Sequence, residues 1–196
     1  MGVIPNYRTA ETTLEYHPIS ASYKLTIAAK DSFDYPLFGL GATFAGIYHL
    51  ENSHPQFGQG TLGYLRRLGT SYADQAIGNM LTEGFLPALL KEDPRYFRKA
   101  EGSKKARAFY ALSRIVVTKN DNGTASFNYS EVVGNGIASA IGLSYYSDSR
   151  NLRDFSSNWA TQLGADALVQ VIREFWPDLK RRGLRRHTAP ADQKEP

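Results

Sequence analysis

Two stretches of the chain hold no charged residue and repeat small residues at helical spacing. In Tyr35–Leu50, Gly41 and Ala45 lie four apart, as do Ala42 and Gly46. In Val132–Tyr146, Gly134, Ala138 and Gly142 form an i, i+4, i+8 row. Residues four apart share a helix face, and a face of Gly and Ala admits close approach of a second helix. The pattern predicts two glycine-rich central helices packed through Gly41, Ala45, Gly134, Ala138 and Gly142.

Further periodicity fills in the rest. Ser20 or Ser22 caps a helix over 21–32, and Asp34 caps the next, with Pro36 in its first turn. Leu65, Leu68, Tyr72, Ala76, Met80 and Leu81 predict a long helix over 61–91, kinked or restarted at Pro87 and stopped by Asp93-Pro94. A basic helix over 104–117 follows. Lys119-Asn120-Asp121-Asn122-Gly123 marks a turn between two short segments that form a small hairpin. The last helix, 154–175, carries an apolar stripe of Trp159, Leu163, Ala167 and Val171, and Pro177 closes it. The expected fold is all-α, a compact bundle of five or six helices with one hairpin. Residues 1–19 read as an extended arm, 20–182 as a single helical domain and 183–196 as a basic, disordered tail.

The charge-free runs are short of the roughly 20 apolar residues that a spanning helix needs. The chain of 196 residues has a formal charge of +4, but its cations are clustered. They concentrate in 91–119 and 180–186, where Arg95, Arg98, Lys104, Lys105, Arg107, Lys180, Arg181 and Arg182 lie, with Tyr96 between two of them. Such clusters suit phosphates, and those residues are the candidate lipid-binding set. The partners expected are membrane lipid or other envelope proteins, with no nucleic acid. The glycine-rich faces also suit an oligomer.

Catalytic signatures are sparse. There is no cysteine, so disulfides and thiolate chemistry are excluded. No phosphate-binding loop, nucleophile elbow or repeated Glu-x-x-His pair occurs. No metal, cofactor or catalytic residue is therefore assigned. One alternative remains open. Asp74, Glu83, Glu131 and Asp166 interrupt the apolar stripes, as do Asn79, Asn135, Asn158 and Gln162. If these acids converge on one pocket, a helical enzyme or small-ligand binder is the better reading.

Several phrases run together along the chain: Gly2-Val-Ile-Pro-Asn-Tyr7, Lys30-Asp-Ser-Phe33, Gly58-Gln-Gly60, Tyr72-Ala-Asp74, Asp93-Pro-Arg-Tyr-Phe97, Phe127-Asn-Tyr-Ser130 and Glu174-Phe-Trp-Pro-Asp178. Over residues 2–182 they resemble a family of exported bacterial proteins met among acidobacteria, to which no activity is attached. The resemblance implies a signal peptide ahead of Gly2 and a place in the periplasm or outer membrane. The function expected is that of a non-enzymatic, membrane-associated envelope protein.

Overall fold

The computed structural model describes residues 8–11, 15–146 and 151–187, with 181–187 as backbone only. It is mostly helical, 70% by residue, and it also has two small sheets, so the all-α expectation is corrected to mostly α. Strand β1 (Thr9–Glu11) precedes helices α1 (Ala21–Ser32), α2 (Tyr35–Leu50) and α3 (Gly60–Asn79). A π-helical segment, Met80–Phe85, leads into α4 (Leu86–Leu90). Strands β2 (Glu92–Asp93) and β3 (Tyr96–Arg98), helix α5 (Lys104–Ser113) and hairpin β4 (Val117–Asn120) and β5 (Ala125–Phe127) follow. Helices α6 (Tyr129–Gly142) and α7 (Leu152–His187) complete the order.

Local chemistry sets most boundaries. Ser20 Oγ accepts from Tyr23 N, and Asp34 accepts from Tyr35 N. Pro87 has no N–H for the carbonyl four residues back, that of Glu83, and the helix absorbs this by widening into the π segment. Lys91, in the left-handed conformation at φ 56°, ends α4. The sheets were less legible. The arm does not lie loose: β1 pairs in parallel with β3, Thr9 opposite Tyr96. β2 adds an antiparallel third strand to the β4–β5 hairpin, Asp93 opposite Lys119.

Pro177 does not close the last helix. α7 runs on to His187, so residues 183–187 are helical backbone. The Arg107 guanidinium holds the helix on both sides of the proline, donating to the Glu174 carbonyl oxygen at 2.7 Å and to Asp178 Oδ2 at 2.6 Å. Residues 1–7, 12–14, 147–150 and 188–196 lie outside the described residues, and with them part of the arm, of the loop before α7 and of the tail.

The small-residue faces meet other helices. A Cβ on Gly41 would lie 3.3 Å from Tyr72 Cα of α3. One on Gly134 would lie 2.8 Å from Thr82 Cγ2, and one on Gly142 3.0 Å from Asp74 Oδ1. Ala45 and Ala138 are fully buried.

What these close contacts enclose is polar. Among the described residues, buried polar and charged side chains outnumber buried apolar ones, and many large apolar side chains are exposed. Helix α6 shows it most clearly. Glu131, Asn135 and Ser139 are buried beside the glycine row, while Tyr129, Val133, Ile137 and Ile141, also four apart, face outward. Helix α7 repeats the inversion: Gln162, Gln170 and Glu174 are buried, and Leu168, Ile172 and Leu179 are exposed. The apolar stripe read on this helix is not its buried face. The row Asn158, Gln162 and Asp166 continues at the same spacing through Gln170, Glu174 and Asp178, and it turns inward.

Candidate functional site

A buried charge network sits where β1, α1, the π segment, α6 and α7 converge. Arg8, at the start of β1, pairs with Glu83 Oε1 and lies 3.3 Å from Asp31 Oδ2. Arg173 of α7 reaches the same Asp31 oxygen at 3.2 Å. Asn135 Nδ2 donates to Asp166 Oδ2 at 2.9 Å, and Glu131 is hydrogen-bonded to Asp166. Three of the four acids singled out in the sequence, Glu83, Glu131 and Asp166, thus belong to one network. Asp74 does not.

Burial raises the Glu131 carboxyl well above the usual carboxylate range, and the charge of Asp166 adds to the effect. Burial lowers the Arg8 guanidinium to about 10, with Arg173 acting in the same direction and Asp31 opposing. Arg8 stays charged at neutral pH. The network opens onto a cavity of about 320 Å³, whose remaining wall combines an aliphatic side, Pro36, Leu37 and Leu40 of α2 with Val169 and Ile172 of α7, and the polar Asp34, Thr43, Gln75 and Asn79.

Asp74 forms a second, smaller cluster. Tyr145 and Tyr146 both donate to its carboxylate, Tyr146 at 2.7 Å, and the Tyr146 ring stacks on His54 with centroids 4.0 Å apart. Burial raises Asp74 above the ordinary range while the two hydroxyls oppose the shift. Burial, then Asp74, pushes Tyr145 and Tyr146 up in turn.

The candidate lipid-binding residues divide. Arg95 turns onto Asp93, its Nη2 2.6 Å from Oδ2, while the Tyr16 hydroxyl donates to the same carboxylate at 3.1 Å. Tyr96 is buried and donates to Glu174. Arg107 is buried against Glu174 and Asp178. These three side chains serve the interior, because each has an acid within reach that lies far away in sequence or beside it on a tight turn. Arg98 is half-buried on β3, while Lys104, Lys105 and Lys180 are exposed. The side chains of Arg181 and Arg182 lie outside the described residues.

Arg8, Asp31 and Arg173 were missed in the sequence. Arg8 and Asp31 stand 23 positions apart, Asp31 and Arg173 142, and neither distance has a periodic signature. Glu174 had a signal, the four-residue polar row of α7. Among the described residues no group of three or more His, Asp or Glu side chains is placed to hold a metal ion. No helix of the described residues is long and apolar enough to cross a membrane. No protein-family model, curated protein or solved structure matches the chain.

Proposed function

We propose that this is a non-catalytic, membrane-associated protein of the bacterial envelope, seated in one face of a bilayer without crossing it. The observation that carries the reading is the inverted polarity, a charged and hydrogen-bonded interior beneath apolar helix faces. Isolated apolar residues on a surface need no explanation, but contiguous ones mark an interaction surface. Here they are contiguous. Phe33, Ile77, Met80, Leu81, Phe85 and Ile141 line one apolar surface groove between α1, α3, the π segment and α6. Lipid acyl chains relieve the cost of such a surface, about 25 cal/mol per Å² of apolar area kept from water. Amphipathic helices lying in the interface plane bury their apolar faces in this way. Lys104, Lys105 and Lys180 suit the adjoining phosphates.

Membrane extraction tests the reading. The protein should stay with envelope membranes through high salt and alkaline carbonate and leave with non-ionic detergent. Release by salt alone would reduce the association to surface charge. A monodisperse, detergent-free monomer that ignores liposomes would overturn the proposal, and a soluble oligomer would give the apolar faces to copies of the chain instead. An Ile137→Asp, Ile141→Asp double variant should keep its helical circular dichroism and lose membrane retention, because both side chains point outward.

A further inference from the structure

The cavity beside the charge network has two unlike sides. One is aliphatic, formed by Leu37, Leu40, Val169 and Ile172. The other is polar, with Thr43, Gln75 and Asn79 beside charged groups that do not balance. Asp31, Asp34, Glu83 and Asp166 line it against only Arg8 and Arg173. Both guanidinia are already engaged by Asp31, and Arg8 also by Glu83. One oxygen is left over. Glu83 has a side chain 1% exposed; its Oε1 meets Arg8, while its Oε2 is buried with no hydrogen-bond partner. A buried carboxylate oxygen without a donor is costly, and native folds rarely leave one.

The geometry points to a binding site for an amphiphile with a protonated amino head and an aliphatic body, the head donating to Glu83 Oε2 and the body lying on α2 and α7. The volume of about 320 Å³ falls in the range of small-molecule pockets. An ammonium supplies both the donor that Glu83 lacks and the positive charge that the lining lacks. A carboxylate or phosphate head meets an excess of acids. An alcohol fits the donor but leaves the charge uncompensated. The same head group occurs on soluble alkylamines and on aminolipids. This inference goes beyond the membrane reading and does not depend on it, since the cavity is defined by internal ion pairs.

Titration calorimetry of the full chain in non-ionic detergent, with n-hexylamine, n-hexanol and hexanoate, tests it. Hexylamine should bind saturably, hexanol about tenfold or more weaker, and hexanoate not at all, the tenfold step being that of one charge-assisted hydrogen bond. Glu83→Gln should weaken hexylamine by a similar factor and hexanol by less, because only the amine also loses a charge partner. Leu40→Trp, which fills the aliphatic side and leaves every ion pair in place, should abolish both and melt no lower than the parent chain. Equal binding of the three probes, or hexylamine binding that survives Leu40→Trp, would overturn the proposal. Displacement of hexylamine by nanodiscs of phosphatidylethanolamine, but not of phosphatidylglycerol, assigns the natural ligand to lipid; no displacement assigns it to a soluble amine.

Discussion

The Tyr96 hydroxyl donates to Glu174 Oε2 at 2.8 Å across 78 residues of sequence. Around it, Glu174 also accepts from Lys99 N and Ala100 N at 3.0 Å each and from Arg107 Nε at 2.8 Å. The phrase Asp93-Pro-Arg-Tyr-Phe and the phrase Glu-Phe-Trp-Pro-Asp are therefore two halves of one joint. That joint holds β3 and α5 against the last helix.

Because Glu174 is wholly buried, removing its carboxylate leaves Arg107 Nε, the Tyr96 hydroxyl and two backbone donors without their acceptor. Glu174→Ala should cost about 3–5 kcal/mol, the range for breaking a buried ion pair. Tyr96→Phe leaves the other three donors in place and should cost only about 1–2 kcal/mol. Urea unfolding of both variants checks the order. Similar losses would mean that Glu174 does not organise the joint.

Stability should fall with rising pH through Glu131. Unfolded, its carboxyl titrates near 4.3; folded, burial holds it well above that value. Between the two, the folded chain binds one proton more than the unfolded chain, so raising the pH favours unfolding. The contribution is complete below about pH 4.3 and is lost as pH climbs through the folded-state value. Glu131→Gln keeps a donor for Asp166 and removes the titration. Melting temperatures from pH 5 to 9 should decline more steeply for the parent chain than for the variant. Parallel curves would refute the raised Glu131 carboxyl.

The glycines should sort by what faces them. A methyl group added at Gly46 would meet open space, so Gly46→Ala should leave stability unchanged or raise it by about 0.5–1 kcal/mol. At Gly84 the added Cβ would lie 2.8 Å from Ala28 Cβ, and at Gly63 2.3 Å from the Gly58 carbonyl oxygen. Both alanine variants should lose about 1–3 kcal/mol. Thermal melts of the three variants decide it, and a uniform response would show that these helices are not in register as described.

Ala138 tests the α6 row in the same way. It is fully buried, and Ala138→Leu should lower the melting temperature by several degrees, in line with the usual cost of overpacking. No change would place that face outward.

Caps and turns were legible because they act within a few residues: Ser20, Asp34, the hairpin around Asn122-Gly123. The direction of the helices was not. A period of 3.6 gives two faces to every amphipathic helix, and the usual assumption turns the apolar one inward. In α6 and α7 the opposite face is buried, since Glu131, Asn135, Gln162 and Glu174 find partners inside. Polar residues at strict spacing of four, from Asn158 to Asp178, carried that information. The acids of the network were visible as interruptions, but their arginines were not, because pairing across the chain leaves no local trace. The β1–β3 pairing was hidden for the same reason.

The bridge from Asp31 to Arg173 sets an order of events during synthesis. Asp31, Glu83 and Asp166 are all made before the second guanidinium exists. A chain cut short of residue 173 leaves Asp31 with Arg8 alone, and Arg8 is shared with Glu83. The full set of partners in the polar centre therefore exists only once nearly the whole chain has been made.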